Sequence, residues 1–198
     1  MAVLRAFIAV DLPTHFQEKL DLVINNLNEQ LDNLPIRWVP SKNIHLTLKF
    51  LGDVSESNLD MITGILDILG SQHDHLEVSV GSLGVFPIMR KPRVIWVGIE
   101  APEELFTLQR KVEAETAKIG YEVDSRAYSP HLTLGRVSRN ATTNEVRMIG
   151  TILEKEKLGF LGVALIEELH LFRSDLQSGG AKYSRLYSAT LGTHQREK

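Results

Sequence analysis

The chain has 198 residues, 43% hydrophobic and 24% charged, a balance ordinary for a soluble globular protein and enough length for a sizeable core. A formal net charge of −3 argues against a broad basic surface that coats nucleic acid, so an anionic ligand needs a local cluster of cations. There is no cysteine, which excludes disulfides, thiolate metal sites and cysteine nucleophiles and leaves histidine as the natural proton carrier near neutrality.

The opening stretch has one early basic residue, and Asp11 interrupts its apolar run before a signal-peptide core can form. It predicts a buried strand over 4–10 in a cytoplasmic protein, and no run approaches the roughly 20 apolar residues of a membrane span. Phe16, Leu20, Val23, Ile24, Leu27 and Leu31 recur at helical spacing and predict an amphipathic helix over 14–32, with Pro13 where a helix can begin. A short strand around Ile36 to Val39 and a Pro-Ser-Lys-Asn turn lead into a strand carrying His45-Leu46-Thr47-Leu48, closed by Gly52 and Asp53. A helix over 55–69 follows, with Ser55 a candidate N-cap. Strands over 76–86 and 93–99 flank the Pro87 to Pro92 turn, and a third helix runs from Pro102 to about Lys118. A second strand carries His131-Leu132-Thr133-Leu134. The chain finishes with a helix over 143–155 and strands near 162–173 and 183–191, separated by a Gly-Gly loop.

The repeated tetrapeptide is the most informative feature. A lone His-x-Thr is expected about 0.4 times by chance in such a chain, but two identical copies in two predicted strands are much harder to obtain by accident. Residues i and i+2 leave a strand on the same face, so each copy presents an imidazole beside a hydroxyl and turns its leucines toward a core. The order helix, short strand, motif strand, helix, strand recurs around both copies. We therefore expect one bilobal α+β domain spanning 1–198: two pseudo-two-fold-related lobes of antiparallel sheet, helices on the outer faces, and both motif strands facing a central cleft.

Two imidazoles near pH 7 can hold opposite protonation states, one taking a proton while the other gives one. Phosphodiester cleavage needs this pairing, with the Thr47 and Thr133 hydroxyls holding non-bridging oxygens and a cation sharing the charge. Arg136 and Lys49 flank the motifs; Arg90, Lys91, Arg93, Arg126 and Arg139 are the other basic residues of interest, with Arg139 and Lys91 read as solvated surface charges. Strict alternation from Leu132 and Leu134 turns Arg136 to the core, unless Gly135 supplies a bulge that re-aims it. Phe50, Phe86 and Trp96 could stack on a base, although such strand aromatics, Trp38 among them, more often belong to a core. His73-Asp74-His75 is the one stretch that suggests metal ligands, in a polar turn unrelated to either motif. His170 reads as structural, and His15 and His194 as surface residues.

The flanked motifs Asn43-Ile44-His45-Leu46-Thr47-Leu48-Lys49-Phe50-Leu51-Gly52 and Ser129-Pro130-His131-Leu132-Thr133-Leu134-Gly135-Arg136 resemble those of the 2H phosphoesterase superfamily. More closely, the chain resembles the RNA 2',3'-cyclic phosphodiesterases long called 2'-5' RNA ligases, from Arg5-Ala6-Phe7-Ile8-Ala9-Val10 through Pro92 to Gly98 to Leu169-His170-Leu171-Phe172-Arg173-Ser174. The resemblance implies an enzyme without metal or other cofactor that opens the 2',3'-cyclic phosphate at an RNA end to a 2'-phosphomonoester. It also implies His45 as proton donor and His131 as proton acceptor, roles that the near-identical motifs do not themselves assign. Reverse 2'-5' ligation is a further implied activity, and a monomer is expected. The alternatives are a non-catalytic module that binds RNA ends or nucleotides, and a metal-dependent phosphoesterase.

Overall fold

The structure, a computed structural model, describes residues 3–177 and 180–192. The expectation for His194 lies outside them, as does Gly179 of the Gly-Gly loop. Strand β1 (Val3–Val10) leads to helix α1 (His15–Gln30), strand β2 (Ile36–Trp38), a 3-10 turn at Ser41–Asn43 and β3 (Leu46–Ser55). Helix α2 (Leu59–Ser71), β4 (Leu76–Phe86), β5 (Val94–Glu100), α3 (Glu103–Lys118), β6 (His131–Val137), α4 (Thr143–Leu153), β7 (Phe160–Ile166), β8 (Glu168–Gln177) and β9 (Gly180–Thr190) complete the order.

Three expectations need correction. The single strand expected near 162–173 is two, β7 and β8, parted at Glu167, because β7 pairs with β4 while β8 pairs with β1. Strand β3 runs past Gly52 and Asp53 to Ser55, with Gly52 at φ 72° absorbing the irregularity. Ser55 does not cap α2: a 3-10 turn at Glu56–Asn58 intervenes, and the Ser55 hydroxyl meets that of Ser57 instead. Helix α4 is well founded, since Thr142 and Glu145 form a reciprocal capping box that satisfies its first amides.

The strands form one curled antiparallel sheet in the order β7-β4-β5-β6-β3-β1-β8-β9, with β2 paired to β6. The order is a palindrome about the β6–β3 seam, where the two halves are joined by one ladder pair, Leu46 opposite Leu132. One lobe is β3-β1-β8-β9 and the other β6-β5-β4-β7, so the motif strands lie side by side at the centre.

The helices cover one face of this sheet and are exchanged between lobes. Helix α1 leaves β1 of the first lobe and packs on β7 of the second, where Lys19 Nζ donates to Leu161 O at 2.6 Å and Phe16 lies over Gly162. Helix α3 leaves β5 of the second lobe and packs on β3 of the first, where Gln109 Nε2 donates to Leu48 O. Helices α2 and α4 stay with their own lobes, Gly70 against the Thr190 backbone and Gly150 against that of Met89. The apolar faces of all four helices and the inward leucines merge into one core, while Phe7, Ala9 and Phe172 form a separate cluster on the opposite, concave face. Among the described residues no helix is long and apolar enough to cross a membrane.

Candidate active site

The concave face carries both motifs. Leu46, Leu48, Leu132 and Leu134 are buried in the core, so pleating turns His45, Thr47, His131 and Thr133 the other way. Thr47 pairs with Ala9, Thr133 with Trp96 and His131 with Gly98.

Each imidazole is held in the same manner. His45 Nδ1 lies 2.9 Å from Asn43 O and His131 Nδ1 lies 2.7 Å from Ser129 O, in both cases the carbonyl two residues upstream. A carbonyl only accepts, so both Nδ1 atoms carry the hydrogen and both Nε2 atoms remain to exchange a proton. Aromatic rings fix the imidazole planes. His45 stacks on Phe7 at 4.6 Å and meets Tyr183 edge-on at 5.1 Å, with Phe172 at 6.0 Å. His131 meets Phe86 edge-on at 4.9 Å, with Trp96 at 6.2 Å. Under the palindrome, Phe172 on β8 corresponds to Phe86 on β4, whereas Phe7 on β1 corresponds to Val94 on β5 and Ala9 to Trp96, so the two imidazoles rest on differently placed rings.

Burial holds both imidazoles below the ordinary value of 6.5, opposed by the hydrogen bonds to Asn43 and Ser129. The Arg136 charge pushes both lower still, so its guanidinium lies within electrostatic reach of the two rings. His45 alone also feels Asp11, which favours its protonated form. Asp11 is ion-paired to Arg185 and stands 3.9 Å from His170, whose Nδ1 meets the Ser188 hydroxyl.

Two β-bulges set which way the residues after each motif face. The β1–β3 register slips between Ile8 and Ala9, leaving Leu48 as an extra residue, and the β5–β6 register slips between Ile95 and Trp96, leaving Leu134 as its counterpart. Each bulge inverts the alternation. Gly135 therefore joins Leu134 on the core side, under Trp38, and Arg136 emerges exposed on the concave face. In the first lobe the same inversion buries Lys49 and exposes Phe50, which is 67% accessible with its ring 6.0 Å from Phe7. Lys49 is thus not brought to the site. It is 3% exposed and ion-paired to Glu113 of α3, and it also donates to Glu122 O.

Of the remaining expected residues Trp96 stays beside Thr133 and His131, and the others disperse. Trp96 is half-buried over Gly84, its Nε1 without a hydrogen-bond partner, and Trp38 packs on the core side with its indole N–H donating to Asn28. Arg126 is ion-paired to Asp124, Arg93 donates to Ser138 O, and Arg90, Lys91 and Arg139 are exposed. His73 bonds Leu69 O at the end of α2, and among the described residues no three His, Asp or Glu side chains gather as a metal site requires. His170 is buried and His15 exposed. Residue reading missed the Asn43 and Ser129 carbonyls because backbone oxygens leave no mark in residue identity. It missed Phe7, Phe172 and Tyr183 because apolar strand residues look alike on either face.

The profile of the family described as LigT like Phosphoesterase matches the chain twice, over residues 10–96 and 97–183. The chain is 34% identical over 181 residues to the RNA 2',3'-cyclic phosphodiesterase of Methanothermobacter thermautotrophicus, covering 91% of this chain and 95% of that protein. It is 27% identical over 195 residues to the protein of the same name from Aquifex aeolicus, covering 97% and 100%. In fold it is similar to TT0787 of Thermus thermophilus (TM-score 0.78, 23% identity, 96% of this chain and 99% of that one). It is also similar to E. coli LigT complexed with 3'-AMP (TM-score 0.76, 24% identity, 96% and 99%).

Proposed function

The chain belongs to the LigT-like phosphoesterase family, and from that premise we propose that it hydrolyses the 2',3'-cyclic phosphate at RNA ends to a 2'-phosphomonoester. The observation that carries this reading is the pair of imidazoles on one concave face, one per lobe. In each, a carbonyl holds the proton on Nδ1 and leaves Nε2 free, and both lie within the field of one arginine.

In the proposed reaction His131 Nε2 takes a proton from water as the water oxygen bonds to phosphorus. His45 Nε2 gives its proton to the 3' oxygen as the P–O3' bond breaks, leaving the phosphate on the 2' oxygen. Burial is the largest influence on His45 and lowers it, but aromatic stacking beneath the ring and the Asp11 carboxylate work against that, which suits the donor. His131 has neither, which suits the acceptor. The Thr47 and Thr133 hydroxyls and Arg136 hold the non-bridging oxygens where negative charge accumulates. Phe50 offers its exposed face to the terminal base. No metal or other cofactor takes part, one chain supplies both motifs, and a 5'-hydroxyl in place of water turns the same steps into 2'-5' ligation.

The test is product analysis on an oligonucleotide with a 2',3'-cyclic phosphate end. A 2'-phosphate product is expected. A 3'-phosphate would overturn the assigned roles, and an unreacted substrate the activity itself.

A further inference from the structure

Arg37 belongs to no motif. It is the middle residue of β2, a three-residue strand whose outer members, Ile36 and Trp38, pack on the core side. A Cβ on Gly135 would come within 2.8 Å of the Trp38 ring and 3.2 Å of Ile36 Cγ2, so both side chains close over that glycine. Alternation then turns Arg37 to the concave face. Its ladder partner there is Arg136, and both are exposed.

Like charges directly opposite on a strand pair are destabilising, and a fold ordinarily avoids them or supplies a carboxylate. Among the described residues neither arginine has one, although the two stand directly opposite each other in the ladder. The row runs on from Arg37 and Arg136 to Val94 and then Phe86, whose ring touches His131. Arg37 thus stands one strand beyond the arginine whose charge reaches both imidazoles, about 4.8 Å outward along the sheet. Two adjacent, uncompensated guanidiniums in line with a phosphate site fit two phosphates one nucleotide apart.

We infer that Arg37 binds the phosphate on the 5' oxygen of the terminal nucleotide, which in RNA is the preceding phosphodiester, while Arg136 takes the cyclic phosphate. This rests on the phosphodiesterase reading and assigns to Arg37 the preference for a chain end over a free cyclic nucleotide. Adenosine 2',3'-cyclic phosphate lacks the second phosphate, and an adenylyl dinucleotide ending in the same group has it.

The experiment compares kcat/KM on these two substrates for the wild type, Arg37→Gln and Arg37→Lys. The preference for the dinucleotide should fall about tenfold in Arg37→Gln and largely return in Arg37→Lys, as a charge-assisted contact at an accessible site predicts. The dependence of log kcat/KM on log salt for the dinucleotide should also become shallower by about 0.7 in Arg37→Gln. Equal losses on both substrates, or no loss on either, would overturn the assignment. A wild type inert toward both would instead overturn the phosphodiesterase reading.

Discussion

Replacing Lys49 with methionine separates a structural cation from a substrate-binding one. The Lys49 and Glu113 side chains are 2% and 9% exposed and paired to each other, so removing the ammonium leaves a carboxylate in the core. Two neutral donors remain to it: Gln109 Nε2 at 3.2 Å and the Asp124 amide at 3.3 Å. Breaking a buried pair from one side costs about 3–5 kcal/mol, and the surviving donors put this case near the lower end, at about 3 kcal/mol. At roughly 3 °C per kcal/mol for a chain of this size, the melting midpoint should fall by about 9 °C. Removing both charges, in Lys49→Met with Glu113→Leu, should recover most of that loss because no unpaired ion remains. Urea unfolding measures the stabilities, and kcat/KM on a cyclic-phosphate substrate well below the midpoint measures catalysis, which should stay within about threefold of wild type. Unchanged stability with a hundredfold drop in kcat/KM would refute the reasoning and return Lys49 to the phosphate.

His45→Ala and His131→Ala should each abolish turnover while circular dichroism shows the fold intact; full activity in either would sink the paired-imidazole mechanism. Because burial lowers both imidazoles, the kcat/KM bell should peak on the acid side of pH 6.5. In Arg136→Gln the cation that opposes both imidazolium forms is gone, so both limbs should move to higher pH, and limbs that stay put would contradict the shared field. In Gly84→Ala the new methyl would lie 2.1 Å from the Trp96 ring, so the indole, 6.2 Å from the His131 ring, must shift. A loss of about 2 kcal/mol in urea unfolding together with reduced kcat is expected, and a neutral effect would argue against close packing beneath the site. Activity should survive EDTA treatment; loss restored by added metal would defeat the proton-transfer scheme.

The motif residues were legible because two-residue alternation is a local property of a strand, and it holds from His45 to Leu48 and from His131 to Leu134. One residue further it fails twice, because an extra residue in a ladder is fixed by the partner strand, which the motif itself does not display. Gly135 hinted at the second bulge and so kept Arg136 in view. Nothing at Leu48 hinted at the first, and Lys49 was carried to the wrong face. The elements and their order were legible from periodicity and turn residues, apart from the break at Glu167, where the chain passes from one lobe to the other without a glycine or proline to mark it. Arg37 lay out of sight for the same reason: its significance is its ladder partner 99 positions away.

The exchange of α1 and α3 between lobes has a bearing on origin. A half-length chain of this plan would complete its core only by lending its first helix to a second copy and borrowing that copy's in return, which is a swapped two-fold dimer. In such a dimer the side chain just past the bulge on one side must be the same on the other. Joining the copies in one polypeptide removes that constraint, and the positions have parted: an aromatic ring at Phe50, a guanidinium at Arg136. A symmetric ancestor could hold a phosphate between identical walls; only the fused chain can tell one end of its ligand from the other.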